Sequence, residues 1–171
     1  AWTAKVATTM TEVTEVDCSL SYLPLSHIAE QMFTVHVPIT VGSMVYFAES
    51  LEKVKENIGE TRPTVIFGVP RIWEKFHAGI GAKLSLATGV KAKLVAWARG
   101  VGAEVSALRN AGKGPGLALG IKHAIANKLI FSKLKAALGL DRARILVSGA
   151  APIAREVLEF FASLDLIINE V

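Results

Sequence analysis

The sequence predicts an α/β fold in which a mostly parallel sheet is covered by helices, and two observations support this prediction. Short segments rich in β-branched and aromatic residues alternate along the chain with longer segments of helical periodicity. The strand-like segments are almost continuously apolar, which is typical of strands that are buried on both faces. The chain has 171 residues, of which 51% are hydrophobic, and this is enough for a sizeable core.

The first part of the chain contains three predicted strands, each an apolar run bounded by polar or turn-forming residues. We expect strands at residues 19–23, 44–47 and 64–68, and helices at residues 29–40 and 51–58. A further helix is expected to begin at Pro70, because a proline is well tolerated at the first helical position.

The second part of the chain is predicted to be helical at first and then to return to strands. Residues 90–138 have helical periodicity, with a glycine-rich connection at residues 112–116. Two more strands, at residues 144–147 and 166–168, flank a helix at residues 153–163. This alternation completes the predicted sheet.

The charge of the chain is strongly polarised. Residues 1–60 carry a net charge of −5, whereas residues 75–135 carry a net charge of +10. Lys91, Lys93 and Arg99 stand among apolar residues, so we expect this basic stretch to form either a solvated face or a peripheral contact with an anionic membrane. It lacks the interleaved aromatic residues of a nucleic-acid surface, so no nucleic-acid partner is expected.

Three further observations bear on the cellular setting. The chain has a single cysteine, which fits a reducing compartment, and we expect a cytoplasmic protein. Its longest apolar stretch, residues 117–131, is broken by lysines and is too short to span a membrane. Both ends of the sequence look cut, so we interpret the chain as an interior part of a larger protein.

A run of small residues follows the strand predicted at residues 144–147. Glycine can adopt backbone angles that other residues avoid, and the alanines keep bulk away from the main chain, so a base or a phosphate could approach the turn. Pro152, the last residue of this run, is expected at the first position of the helix that follows. A tight strand-to-helix connection without a ligand explains the same residues equally well. These residues are Ser148, Gly149, Ala150, Ala151 and Pro152.

Ligands bind at the carboxyl ends of the strands in sheets of this kind, and two other loops lie at such ends. The first loop contains His27, a candidate donor to a negatively charged group, although a lone loop histidine is more often simply solvated. The second loop contains Gly68, Val69 and Pro70. No phosphate loop, nucleophile elbow or metal-ligand pattern is present, so the sequence shows binding loops without a complete catalytic set.

Four stretches carry a resemblance to a known family. They are residues 19–31 (SLSYLPLSHIAEQ), 68–75 (GVPRIWEK), 133–139 (KLKAALG) and 148–152 (SGAAP). Together and in this order they resemble the long-chain fatty acyl-CoA synthetases of the adenylate-forming superfamily, closest to the bubblegum type. The resemblance covers most of the chain and implies that residues 1–171 are the central part of the AMP-binding domain, with a helical insert at about residues 76–138.

The resemblance implies a ligase that uses ATP, Mg²⁺ and CoA to activate a long-chain fatty acid. It places His27 near the reacting carboxylate and phosphate, and the small-residue turn from Ser148 to Pro152 at the nucleotide. It places Gly68, Val69 and Pro70 beside the acyl group. The family's phosphate loop would precede Ala1 and its Tyr-Gly-x-x-Glu motif would follow Val171, so we expect the isolated chain to be inactive.

Two alternatives remain open from the sequence. One is a non-catalytic α/β binding module, which would require that the chain be complete. The other is a basic segment that binds a membrane surface.

Overall fold

The computed structural model describes residues 2–171, apart from the side chains of Ala4 and Met10. Ala1, the first residue of the predicted domain, lies outside the described residues. The first elements are α1 (Trp2–Thr11), β1 (Cys18–Ser21), α2 (Ile28–Glu30), a π-helical segment (Gln31–His36), α3 (Val37–Val41), β2 (Met44–Phe47), α4 (Val54–Thr61) and β3 (Val65–Gly68). The later elements are α5 (Pro70–Ser85), α6 (Gly89–Asn110), α7 (Leu117–Ala126), a second π-helical segment (Asn127–Phe131), α8 (Ser132–Leu138), β4 (Ile145–Ser148), α9 (Arg155–Ala162) and β5 (Ile168–Glu170).

The five predicted strands are confirmed, with boundaries that move by at most two residues. The β2 strand has the predicted bounds, whereas β5 begins two residues later than predicted. The predicted helix at residues 29–40 is formed by α2, the first π-helical segment and α3 in succession. The α1 helix was not predicted, because its sequence is rich in threonine, which has a low helix propensity.

The strands form one parallel sheet in the order β2-β1-β3-β4-β5. In the first pairing, Cys18 lies beside Met44 and Ser21 lies beside Phe47, and on the other side of β1 Ser19 lies beside Val65. The predicted α/β class with a mostly parallel sheet is therefore confirmed. Among residues 2–171, no helix combines the length and the apolar character that a membrane span requires.

The chain is organised in two compact units. The first unit comprises the residues up to Phe67 together with Lys135–Val147. Its core contains Val65–Phe67 of β3 and Ile145–Val147 of β4, all of which are apolar and buried. Gly139 packs closely within this unit, because a Cβ atom at this position would lie 2.4 Å from the carbonyl oxygen of Ile58.

A buried carboxylate ties together the starts of three strands in the first unit. The side chain of Asp17 is 2% exposed and precedes β1. It accepts hydrogen bonds from the Thr64 hydroxyl at 2.7 Å and from Arg144 Nε at 2.9 Å. Thr64 and Arg144 immediately precede β3 and β4. The Arg144 guanidinium beside Asp17 lowers the pKa of that carboxyl well below its ordinary value.

The second unit comprises Gly68–Leu134 and Ser148–Val171. Trp73 of α5 is fully buried and meets Phe161 of α9 in an edge-to-face contact, with ring centroids 5.5 Å apart. A second cluster joins α6 to α7 and the π-helical segment that follows it. Its buried members are Ala98, Val101, Ala126 and Phe131.

Candidate functional site

His27 lies in the first unit, at the end of the loop that follows β1. It is the N-cap residue of α2, and its Nδ1 accepts a hydrogen bond from the backbone N–H of Ala29 at 3.2 Å. A neutral imidazole that accepts at Nδ1 carries its proton on Nε2. The local fold therefore orients the ring so that Nε2–H is the donor of a half-buried side chain.

Several hydrogen bonds hold the loop that carries His27. The backbone N–H of His27 donates to the Pro24 carbonyl at 2.9 Å. The side-chain amide of Gln31 donates to the Leu25 carbonyl at 2.8 Å. The Tyr22 hydroxyl donates to the Phe67 carbonyl at 3.0 Å, which anchors the start of the loop on β3. These hydrogen bonds fix the conformation of the loop and thereby the position of His27.

The small-residue turn lies in the second unit, at the carboxyl end of β4. Ser148 is fully buried, and its hydroxyl has no hydrogen-bond partner among the described residues. Its carbonyl accepts a hydrogen bond from the N–H of Val171 at 2.9 Å. Ala150, Ala151 and Pro152 are exposed, whereas Ser148 and Gly149 are buried, so only the second half of the turn lies at the surface.

Two local predictions about this turn were wrong. The left-handed backbone conformation occurs at Ala150, with φ of 71°, and not at Gly149. An alanine in this region is strained by about 1–2 kcal/mol, and strain of this kind is common at ligand-binding turns.

Pro152 does not open the following helix. Helix α9 begins at Arg155, and its N-cap residue Ala154 is extended, with φ of −63° and ψ of 132°. The chain stays extended because the N–H of Ile153 donates to the Glu170 carboxylate at 3.1 Å and the Ile153 side chain is buried. No local sequence pattern predicts this long-range contact.

Gly68 ends β3, and Pro70 begins α5 as predicted. A Cβ atom on Gly68 would lie 2.6 Å from Trp73 Nε1, and this nitrogen donates to the Gly68 carbonyl at 3.2 Å. The absence of a side chain at Gly68 therefore makes room for Trp73. Val69 has an extended backbone and is half-buried. The assignment of these residues to an acyl group remains a prediction.

The structure brings two of the three predicted loops together. The N–H of Gly149 donates to the carbonyl of Gly68 at 3.3 Å, so the small-residue turn adjoins residues 68–70 within the second unit. His27 belongs to the first unit. The roles predicted for all of these residues remain predictions.

The second unit also has a cavity of about 630 Å³ that was not predicted. It is lined by residues of α6, α9 and β5, and it does not include the predicted site residues. Glu170 belongs to its lining and also accepts the hydrogen bond from Ile153. Glu170 therefore contributes both to the cavity and to the position of Ile153, the residue that follows the small-residue turn.

In the part of the chain that the structure describes, no three His, Cys, Asp or Glu side chains are grouped closely enough to hold a metal ion.

Glu30, a buried acidic residue close to His27 in the sequence, was not predicted to be a site residue. Glutamate is rarely buried, and nothing in a helical pattern distinguishes a buried glutamate from an exposed one.

Comparisons with known proteins agree with the predicted resemblance. Long-chain-fatty-acid–CoA ligase ACSBG2 of Homo sapiens is 41% identical over an alignment of 155 positions, which covers 88% of this chain and 23% of that protein. The adenylation domain of a carboxylate reductase from Mycobacterium chelonae has a TM-score of 0.61 at 20% identity, over 91% of this chain and 20% of that chain. A carboxylic acid reductase didomain from Segniliparus rugosus, solved in complex with AMP, has a TM-score of 0.54 at 22% identity, over 90% of this chain and 17% of that chain.

The chain spans about a quarter of the length of the curated relatives that it matches. The similarity of the solved structures shows the fold. The model of the AMP-binding enzyme family matches residues 1–168, which is nearly the whole chain. This chain therefore belongs to the AMP-binding enzyme family.

Proposed function

We propose that this chain is the central segment of a long-chain fatty acid–CoA ligase. The observation that carries the proposal is the sequence identity to the human ligase, which extends over most of this chain. Within this proposal, we assign roles to residues of the His27 loop and of the small-residue turn. The non-catalytic binding module is the less favoured alternative, because the matched family is a family of enzymes.

The proposed reaction has two steps. In the first step, a carboxylate oxygen of the fatty acid attacks the α-phosphorus of ATP, and the bond to pyrophosphate breaks. In the second step, the thiol of CoA attacks the acyl carbon, AMP leaves with the oxygen, and the thiol gives up its proton. Negative charge develops on phosphate oxygens in the first step and on the acyl oxygen in the second, so a fixed donor is useful in both.

His27 is the proposed donor. Its Nδ1 is engaged by the N–H of Ala29, which keeps the proton of the neutral ring on Nε2. A donor whose orientation is set before the reaction stabilises developing charge without a cost of reorganisation at that moment. We therefore assign to His27 the stabilisation of the reacting carboxylate and α-phosphate.

The turn from Ser148 to Pro152 is the proposed nucleotide site. A buried hydroxyl without a partner costs about 1–3 kcal/mol, so the Ser148 hydroxyl is suited to a hydrogen bond with a bound group. Ala150 and Ala151 are small and exposed, and a flat base can lie against their main chain. Gly68, Val69 and Pro70 adjoin this turn and are assigned to the acyl side.

The proposal includes ATP and CoA as substrates and Mg²⁺ as the metal that accompanies ATP. The described residues contain no carboxylate or histidine cluster for a metal ion, so we assign no residue of this chain to Mg²⁺. The setting that we propose is the cytoplasm, with peripheral contact to an anionic membrane.

For the proposed membrane contact, we favour α7 over α6. On α6, Val95 and Val101 face the core, and Arg99 Nε donates to the Ser163 hydroxyl at 3.0 Å. The Arg99 guanidinium also lies over the Phe160 ring, 4.9 Å from its centroid. The amphipathic face expected on α6 is therefore partly used inside the second unit.

Helix α7 and the π-helical segment after it present an exposed apolar face instead. Its residues recur at every fourth position, and their exposed fractions are 85% for Leu117, 55% for Ile121, 46% for Ile125 and 39% for Leu129. Lys122 and Lys128 are exposed on the same helical stretch, and residues 105–140 contain no acidic residue. An exposed apolar face on a stretch that carries basic residues and no acidic residue fits an anionic lipid surface.

The ligase proposal is tested in a full-length ligase that contains these 171 residues, obtained as such or by exchanging them for the matching segment of the human relative; we call this protein the whole ligase. Exchange of labelled pyrophosphate into ATP measures the first step. His27→Ala is expected to lower the exchange rate on the order of a hundredfold, the scale for the loss of one oriented donor.

His36→Ala is the matched control, because His36 is also half-buried and lies on the π-helical segment nine residues further along. It is expected to leave the exchange rate unchanged. Equal rates for His27→Ala and the unmodified whole ligase would contradict the proposed role of His27.

A further inference from the structure

Glu30 is a buried carboxylate that the proposed chemistry does not use. Only 3% of the residue is exposed, although glutamate is almost never fully buried without partners. One of its oxygens, Oε1, accepts hydrogen bonds from the Ser21 hydroxyl and from the Thr34 hydroxyl, the latter at 2.8 Å. Both donors thus converge on a single oxygen atom.

These hydrogen bonds close the base of the His27 loop. Ser21 is the last residue of β1 and Glu30 is the last residue of α2, so the contact between them joins the two ends of the segment that contains the His27 loop and the first residues of α2. Thr34 lies one turn further along and fixes the Glu30 side chain from the helix side. All three residues belong to the first unit.

His27 and Glu30 lie on the same short helical turn. His27 is its N-cap and Glu30 is its last residue, so a shift of Glu30 relative to β1 would tilt the N–H of Ala29 that holds the imidazole. The direction of Nε2–H therefore depends on where Glu30 is anchored. A displacement of about 1 Å at a reacting group can cost a hundredfold in rate.

We propose that Glu30 is a positioning residue for His27. Glu30 acts through its hydrogen bond with Ser21 and does not touch the substrate. This inference rests on the proposed function for its catalytic consequence, but its structural part concerns the His27 ring alone. Because both hydroxyls donate to one oxygen, an amide oxygen can replace the carboxylate. The role thus requires an acceptor at this place and does not require a negative charge.

The test compares Glu30→Ala with Glu30→Gln in the whole ligase. Glu30→Ala is expected to lower the turnover of pyrophosphate exchange on the order of tenfold with little change in KM for ATP, since positioning affects the transition state more than ground-state binding. Glu30→Gln is expected to retain the turnover within about twofold. Thr40→Val is the control, because the Thr40 hydroxyl donates to the backbone carbonyl of His36 in its own helical stretch and is exposed.

A double-mutant cycle separates positioning from general stability. In the His27→Ala background, Glu30→Ala is expected to have no further effect on turnover, because the group that it positions is gone. An equal loss in both backgrounds, or an equal loss in Glu30→Gln, would overturn the inference. If Glu30→Ala does not fold, Ser21→Ala takes its place in the same cycle, because this variant removes one of the two donors to Glu30.

A measurement of the His27 ring distinguishes failure of this inference from failure of the proposed function. Nitrogen NMR of the labelled ring reports which nitrogen carries the proton, and Glu30→Ala is expected to disturb the state in which Nδ1 is the acceptor. If it does so while His27→Ala leaves exchange unchanged, positioning stands and the catalytic role of His27 fails. If Glu30→Ala changes neither ring nor rate while His27→Ala lowers the rate, positioning is wrong.

Discussion

Arg144 follows Asp17 by 127 residues in the sequence, and its guanidinium donates to both oxygens of that buried carboxylate. Thr64 donates to the same carboxylate at 2.7 Å. Asp17, Thr64 and Arg144 stand just before β1, β3 and β4. In a parallel sheet this places the network at the amino ends of the strands, opposite the edge where ligands bind. We therefore expect it to serve stability and not chemistry.

Asp17→Asn is expected to destabilise the whole ligase by about 2–3 kcal/mol, because it removes the charge of a buried carboxylate whose partner, Arg144, is 41% exposed. The urea midpoint measures this change. Glu159→Gln is the matched control, since Arg155 and Glu159 form an ion pair whose side chains are 90% and 62% exposed. An exposed pair of this kind contributes at most about 0.5 kcal/mol. Equal effects of the two variants would contradict the structural role of Asp17.

The pKa of Asp17 is lowered in the folded state, chiefly by the hydrogen bond from Arg144, and this sets the pH dependence. A lowered pKa adds stability that is fully present above the unfolded value of about 4 and is lost as the pH falls below it. The free energy of unfolding should therefore differ between wild type and Asp17→Asn by a constant amount near neutral pH. This difference is expected to shrink below about pH 4.

Ala150→Leu is expected to raise KM for ATP in the whole ligase on the order of tenfold, because the larger side chain would occupy the place proposed for the base. Ala154→Leu is the matched control, as Ala154 is also exposed and lies outside the left-handed turn. Ala150→Gly is expected to retain KM and to gain up to about 1 kcal/mol of stability, since glycine accepts a φ of 71° without strain.

A different outcome for Ala150→Leu would change the interpretation of the turn. An unchanged KM together with a large fall in melting temperature would show that Ala150 serves packing and not nucleotide binding.

Binding of the whole ligase to vesicles tests the exposed face of α7. Ile121→Gln combined with Ile125→Gln is expected to reduce flotation with vesicles that contain phosphatidylserine, because it removes the centre of the apolar face. Lys122→Gln and Lys128→Gln are each expected to weaken this binding about fivefold, the equivalent of roughly 1 kcal/mol per lysine, and the loss should be smaller at high salt.

The matched control is Leu86→Gln combined with Val90→Gln, which makes the same change at residues that are 79% and 84% exposed outside α7. Two outcomes would mean that the face does not bind an anionic membrane. One is equal flotation of all variants, and the other is equal flotation of the unmodified protein with phosphatidylserine-containing and with neutral phosphatidylcholine vesicles.

The sequence predicted most of the elements because their signals are local. The β2 strand is an apolar run of four residues after Gly42 and Ser43, and its bounds were predicted correctly. Pro70 marked the start of α5 correctly, for the same local reason. The strand order required the three-dimensional structure, since no local signal says that β3 lies between β1 and β4.

The details of the candidate site depend on contacts between distant residues, and these were not predictable. Pro152 lies outside α9 because Glu170 binds the N–H of Ile153, which is 17 residues earlier in the chain. The left-handed residue is Ala150, although residue preferences favour glycine for that conformation. Glu30 is buried because Ser21 and Thr34 supply two donors, and its sequence neighbours give no sign of this.

The first unit is assembled from two stretches of chain that are separated by residues 68–134. During synthesis at about 5–20 residues per second, Asp17 leaves the ribosome roughly 6–25 s before its partner Arg144, which follows 127 residues later. The edge of β3 that pairs with β4 stays unpaired for the same reason, and every residue of β3 belongs to the core. Val65 of β3 and Ile145 of β4 are 80 residues apart, so we expect the nascent chain to expose an apolar strand edge for roughly 4–16 s. During that time the edge can bind chaperones.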